Sequence, residues 1–239
     1  MTEYHAVPGA TAAGCWEIAC NATLQAVDEC AGCPELFRRT LSGPMSWQVR
    51  NRTTIDRVLT TPSVALSWFS ALLAFGAEVG VDGQGRVPID QFLERRVKGR
   101  LDHLYVPSLD RSGKPLRDTL WGEARVARTP SDEPIVSVVA VVEEAAGVVT
   151  RARLALTGVW PRPVALAGAA ARLVGNRLGM DRIHEVAAAV AAEVAPKGDF
   201  LGSAEYRRAM SGVVARRALE QCLTQRDTEH TDQEAGHGR

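Results

Sequence analysis

The sequence predicts an α/β unit followed by an α+β unit, and three observations carry that reading. Residues 64–76 (VALSWFSALLAFG) are an almost unbroken apolar stretch ending in glycine, as a buried helix with a glycine stop would be. Asp82-Gly83-Gln84-Gly85 lies between two short β-compatible runs, which is a hairpin signal. Further on, an apolar run at 134–143 and an alternating run at 148–159 precede three helical stretches at about 163–174, 181–194 and 203–222.

In chain order, residues 14–41 carry an apolar spacing compatible with one or two helices, with Cys15, Trp16, Ile18, Ala19 and Cys20 inside the first. Gly32 and Pro34 interrupt the run, and a second helix is expected from Pro34 to Leu41, with proline in its first turn. Ser42-Gly43-Pro44 is a turn, and Val49 to Ile55 is a polar segment with a β-branched end. After the apolar stretch, Ala77 to Val81 and Arg86 to Ile89 are expected as paired strands, and residues 90–98 as a short amphipathic helix with Phe92 and Leu93 inward. Residues 107–119, rich in Pro, Ser, Gly and charge, mark a domain boundary. Strands are expected at about 120–128, 134–143 and 148–159, forming an antiparallel sheet. The last helix should start at Ser203 as N-cap and bury Tyr206, Met210, Val213, Val214 and Ala218 on one face. The polar tail from Thr224 to Arg239 is expected to be disordered.

Composition excludes several classes of function. Lys plus Arg and Asp plus Glu are both 28, so the basic excess of a nucleic-acid or polybasic membrane surface is absent. No run of about 18 apolar residues reads as a transmembrane helix. Met1 to Ala10 lacks the basic-then-apolar pattern of a secretory signal, so the cytoplasm is the expected compartment. Apolar residues make up 46% and aromatics only 5%, which calls for a core of small aliphatic side chains.

Four of the five cysteines, Cys15, Cys20, Cys30 and Cys33, fall close together. Only Cys30 and Cys33 have a chelating C-x2-C spacing, and no glycine knuckle surrounds either pair. Buried thiols are the reading favoured over a metal or cluster site. His103 and His184 stand alone, so no catalytic acid, base or nucleophile is assigned.

Several segments, in order, carry a family resemblance. Val49-Arg50-Asn51-Arg52-Thr53-Thr54-Ile55, then Ala71 to Val79, resembles the "IRNxxTIGG … ALLALGAEV" region of the flavoprotein (medium) subunits of the xanthine dehydrogenase and carbon monoxide dehydrogenase group of molybdenum hydroxylases. Arg86-Val87-Pro88-Ile89-Asp90-Gln91-Phe92 is similar to their "RxVPLxxF" segment. Pro196 to Leu219, with Gly202-Ser203-Ala204-Glu205-Tyr206-Arg207-Arg208 at its centre, resembles their C-terminal signature. Asp132 to Val138 and Ala152 to Val159 fall between these in the expected order, so the likeness covers about residues 45–222.

The resemblance implies the second lobe of a PCMH-type FAD-binding domain over residues 1–110, with the family's first lobe missing. A linker at 111–119 and a flavoprotein C-terminal domain at 120–223, an antiparallel sheet with three helices, would follow, then the tail at 224–239. It implies FAD as cofactor, and as partners a molybdenum-cofactor large subunit and a [2Fe–2S] small subunit, from which FAD would carry electrons to an acceptor. By motif position the flavin contacts would be Thr53, Thr54, Ile55 and Arg57, with Trp121 and Asp132 nearer the ring.

The chain departs from the family pattern at the same place. The glycine-rich "AGGT" loop does not occur in the first 50 residues, and "TIGG" reads Thr54-Ile55-Asp56-Arg57. Such glycines let bare backbone N–H groups wrap a pyrophosphate. The family's "YxK" is replaced by Trp121-Gly122-Glu123, a charge reversal that disfavours a reduced, anionic flavin. The expectation is an FAD-subunit-like component whose flavin affinity is weakened or lost. The alternative is a cofactor-free paralogue serving as a structural or assembly partner, and a stand-alone metal-thiolate module ranks last.

Overall fold

The structure is a computed structural model that describes residues 15–30, 32–42, 45–95, 99–107, 119–129 and 132–236. The expected linker at 111–119 lies outside the described residues except for Thr119.

The first sheet takes β1 (Cys15–Ala19), β2 (Glu78–Val81), β3 (Gly85–Pro88) and β4 (Leu101–Pro107) in the order β1-β4-β2-β3, all antiparallel. Helices α1 (Leu24–Glu29), α2 (Glu35–Ser42), α3 (Trp47–Arg52), α4 (Ile55–Thr60) and α5 (Leu66–Phe75) lie between β1 and β2, and α6 (Ile89–Arg95) follows β3. The second sheet runs β5 (Leu120–Val126), β6 (Val136–Ala145), β7 (Val148–Thr157) and β8 (Val164–Leu166) in that order, also antiparallel. Helices α7 (Met180–Glu193) and α8 (Ala204–Gly236) complete the chain.

Helix α5 is the layer between the two halves. Every residue from Trp68 to Phe75 is buried, as a helix apolar on all sides must be. Phe37, Trp68 and Phe75 meet beside it, with Phe37 and Phe75 ring centroids 5.1 Å apart. The same core continues onto Val139, Val141, Ala155 and Val164, one face of the second sheet. The opposite face, Val136, Val138, Ala140, Val142, Leu154 and Leu156, packs on α7 and α8. Strand β6 is therefore covered on both sides, which is why it reads as an apolar run rather than an alternation.

Polar contacts hold the α5 end in place. Gly76 adopts a left-handed φ of 77° as C-cap, and its N–H donates to Leu72 and Leu73. Arg153 Nη1 then donates to the Leu73 carbonyl at 3.1 Å and Arg151 Nη2 to the Phe75 carbonyl at 3.4 Å. Arg151 is itself paired with buried Glu143 on the neighbouring strand. Two cations thus sit at the negative end of the helix dipole, where a cation is favoured.

Several expectations change. Cys15–Ala19 is a strand, not part of a helix: Trp16 and Ile18 are buried while their neighbours are only partly covered, a period of two, and β1 pairs with β4. Strand β4 was not foreseen, although Leu104 and Val106 alternate inward. The segment around Val49 is helical, because Ser46 caps the N–H of Val49. The expected helix at 163–174 is β8 followed by a 3-10 turn, Gly168–Leu173. The polar tail continues α8 to Gly236 instead of being disordered. No Gly or Pro interrupts the sequence between Gly212 and Gly236, and the Thr224 and Thr228 hydroxyls bond back to the carbonyls of Glu220 and Thr224.

Strand β5 is an open sheet edge, and α8 covers it. Gln221 Oε1 accepts from the Glu123 N–H at 3.0 Å while its Nε2 donates to the Glu123 carbonyl at 2.8 Å. Gln225 Oε1 accepts from the Trp121 N–H at 2.9 Å. Two glutamines four residues apart thereby use edge groups that would otherwise recruit another strand. The approach is close enough that a Cβ on Gly122 would lie 2.0 Å from the Ala218 carbonyl oxygen. Gly122→Ala is predicted to cost about 2 kcal/mol through this overlap, lowering the thermal midpoint by roughly 5 °C. Gly179→Ala, where a Cβ meets nothing within 4 Å, is predicted to leave the midpoint nearly unchanged in the same melt.

Candidate functional site

The C-terminal signature is built around Arg207. Its guanidinium is buried and makes two 2.7 Å bonds to the Asp199 carboxylate. It also donates to the carbonyls of Ile135 and Gly158. Asp199 Oδ1 accepts from the N–H of Leu201 at 2.9 Å and of Gly202 at 3.2 Å. Ser203 caps α8 by accepting from the Tyr206 N–H. One cation thus ties the start of α8 to the entry of β6 and the exit of β7. Gly158, with φ 74°, is required where it stands, since a Cβ there would come within 2.1 Å of the Ile135 oxygen. Tyr206, expected on the buried face, is 40% exposed. The buried stripe is instead Arg207, Ser211, Val214, Ala215, Ala218, Leu219 and Cys222. The charged anchor is Arg207; Arg216 pairs with Glu220 on its own helix.

Four of the residues implied as flavin contacts, Thr53, Thr54, Ile55 and Arg57, form one corner where α3 meets α4. Main-chain bonds fasten this corner to the turn after β1. The Leu24 N–H donates to the Thr53 carbonyl at 2.9 Å, Ile55 N–H to Ala22 at 3.0 Å, and Asp56 N–H to Cys20 at 2.9 Å. The Arg57 N–H donates to the Asp56 carboxylate at 2.7 Å, and the Thr54 hydroxyl bonds the same oxygen. The Val58 N–H takes the Thr54 carbonyl in the first regular helical bond. Three of the amides that a helix start normally leaves open, those of Ile55, Asp56 and Arg57, are therefore engaged. Ile55 is fully buried, and the Arg57 side chain is exposed.

Trp121 lies elsewhere, on β5. The Arg39 guanidinium of α2 stands 5.4 Å from its ring centroid and pairs with Glu123 at 3.2 Å. Burial pushes the Glu123 carboxyl up, and Arg39 opposes the shift. Asp132 lies in the β5–β6 connection and faces Arg128 at 3.5 Å. Among the described residues, no hydrogen bond or ion pair links the α4 corner, Trp121 and Asp132. Beside Asp132, a cleft of about 170 Å³ is lined by residues including Thr40, Met45, Ser67, Glu133 and Pro134. Sites that bury a drug-sized ligand run to roughly 300–1,000 Å³.

The fit of FAD can be tested on this geometry. A flavin dinucleotide needs open N–H groups for its diphosphate. Here the amides of Ile55 and Asp56 are bonded to main-chain carbonyls, and that of Arg57 to a carboxylate carried by the chain itself. Asp56 does not turn away from the corner, as a neutral accommodation of phosphate would require; it already occupies the anion position. Arg39, held by Glu123, lies over Trp121. The residues at the implied positions do not fit an FAD diphosphate as they stand.

Sequence reasoning located the α4 corner through its missing glycines. It missed Arg39, for which the sequence gives no signal, and it missed Arg207, whose only signal is its place inside the C-terminal signature. The cysteines do not converge: among the described residues, no group of three or more His, Cys, Asp or Glu side chains is placed to hold a metal ion. No helix among them is long and apolar enough to cross a membrane.

A four-stranded antiparallel sheet with its helices is thus joined through buried α5 to a second antiparallel sheet backed by two helices. Residues 124–222 match the CO dehydrogenase flavoprotein C-terminal domain. The chain is homologous to the carbon monoxide dehydrogenase medium chain of Hydrogenophaga pseudoflava, with 27% identity over 175 residues. That alignment covers 72% of this chain and 61% of the relative, so the chain spans about three fifths of the relative's length. The fold is shared with carbon monoxide dehydrogenase from Oligotropha carboxidovorans (TM-score 0.76, 21% identity, 92% of this chain and 79% of that one). It is shared too with quinoline 2-oxidoreductase from Pseudomonas putida (TM-score 0.74, 18% identity, 90% and 77%).

The Asp199–Arg207 pair makes a pH prediction. The Arg207 guanidinium, then the Leu201 N–H, hold the Asp199 carboxyl below its ordinary value. A depressed carboxylate stabilises the fold above the unfolded-state pKa and loses that effect as pH falls through the folded value. Asp199→Asn is therefore predicted to lower the thermal midpoint most at neutral pH. The gap to the native protein should close as the pH drops below the usual carboxylate range. Melts at a series of pH values check this.

Proposed function

We propose that this chain is a medium-subunit-type component of a molybdenum hydroxylase of the xanthine or carbon monoxide dehydrogenase type. In this reading it stands in the cytoplasm beside a molybdenum-cofactor large subunit and a [2Fe–2S] small subunit. It does so as a structural member, without FAD held at the α4 corner. The homology and the C-terminal domain match support the first half. The observation that carries the second half is the complete internal use of the Ile55, Asp56 and Arg57 amides.

Retaining a diphosphate there would break two main-chain bonds and bring a second anion against Asp56. Like charges in contact disfavour each other, and a displaced buried donor or acceptor costs about 1–3 kcal/mol. The folded corner thus keeps its own ligand. The competing reading, a flavin-carrying electron-transfer subunit, is supported by the match of residues 124–222 to a flavoprotein C-terminal domain, not by the donors present at the α4 corner.

The test is to isolate the tagged chain from its native host and assay the product for molybdenum, iron and acid-released flavin. Molybdenum and iron in fixed ratio to the chain, with no flavin above trace, is the expected result. Stoichiometric FAD on this chain would overturn the cofactor-free reading. A chain that carries neither metal-bearing partner would overturn its placement in such a complex.

A further inference from the structure

Away from the α4 corner, the loop joining α1 to α2 brings two thiols together in a way the proposed role does not use. Cys30 is the C-cap of α1, and the Cys33 N–H donates to the Cys30 carbonyl at 3.0 Å. A four-residue turn closed by this bond brings its end Cα atoms within about 7 Å. Disulfides span Cα separations of about 4.4–6.8 Å, a range that a turn closed by this bond overlaps. Gly32, inside the turn, is exposed and has open space where a side chain would stand, so the loop has room to adjust.

Arg38, one turn into α2, faces both residues. Its Nη2 donates to the Cys30 carbonyl at 2.7 Å, and the Cys33 thiol donates to the Pro34 carbonyl at 3.7 Å. The Arg38 Nε is buried without a partner. Cys30 is partly exposed and Cys33 is 7% exposed, so an oxidant reaches Cys30 first.

We propose that Cys30 and Cys33 are a redox-active dithiol that closes to an intrachain disulfide on exchange with a low-molecular-weight disulfide. Cys30 releases its proton to solvent, and its thiolate attacks one sulfur of the small disulfide. The small S–S bond breaks, and one small thiolate leaves and takes up a proton. The Cys33 thiol then releases its proton, and its sulfur attacks the Cys30 sulfur of the mixed disulfide, expelling the second small thiol. The protein gives up two electrons, and the oxidant leaves as two thiols. Burial pushes the Cys33 thiol up to about 12, with Arg38 opposing. The second exchange is therefore the slow one. The product would staple the end of α1 to the start of α2.

The experiment incubates the full chain with excess oxidised glutathione, quenches at intervals, and counts free thiols by alkylation under denaturing conditions with mass analysis. The chain has five cysteines, all free in the reduced protein. The expected course is a transient species carrying one glutathione, followed by a stable species with three free thiols and no glutathione. Cys33→Ser should stop at one bound glutathione, and Cys30→Ser should keep all its remaining thiols. A native chain that retains five thiols overturns the proposal. So does one that keeps glutathione without closing, or a Cys30→Ser chain that still loses two thiols. The thiol count on the native chain stands even if a variant fails to fold.

Discussion

A helix buried on every side between two sheets is tolerable only if its end carbonyls find partners, and in this chain the second sheet supplies them. Arg151 and Arg153 reach from β7 to the carbonyls of Phe75 and Leu73, while Gly76 turns the chain away in the left-handed conformation. Unpaired, those carbonyls would each cost a desolvation penalty in a dry interface. The same two guanidiniums leave no room for a side chain at Gly76, where a Cβ would fall 2.5 Å from Arg151. Helix α5 thus joins the halves by burial and is oriented by charge.

From this arrangement the rest of the molecule follows. With α5 covering one face of the second sheet, the other face needs α7 and α8, and β6 becomes apolar on both sides. Helix α8 then lies along β5, where Gln221 and Gln225 finish the sheet edge. Arg207 fixes its beginning to two loops of the sheet. The signature that is most alike to the flavoprotein subunits is, in physical terms, the fastening of this helix. That explains how the C-terminal domain keeps its pattern while the α4 corner departs from it: the two are held by separate sets of contacts.

The parts of the fold that were legible in the sequence are those decided by short-range patterns. Residues 64–76 could only be a buried helix, and the alternation at Thr150 to Leu156 could only be a strand. Cys15 to Ala19 is five residues long, and a helical spacing passes through Trp16 and Ala19 while a strand period passes through Trp16 and Ile18; pairing with β4, distant in sequence, decides it. Residues 224–236 read as a solvated tail because their polarity was visible. Their continuity with an already nucleated helix was not. At the candidate site, the loss of both glycines was plain at Asp56 and Arg57. The main-chain bonds that tie Ile55 and Asp56 to the turn after β1, and the stacking of Arg39 on Trp121, depend on tertiary placement, which no local pattern encodes.

The central claim is that the amides of Ile55, Asp56 and Arg57 are already spent. The most direct measurement is to follow their backbone amide resonances while ADP is added to the reduced, folded chain. The account predicts that all three stay in place and remain slow to exchange with solvent, at ligand concentrations far above those at which flavin subunits are saturated. Saturable shifts centred on these three amides would show that the corner opens for a diphosphate and would contradict it.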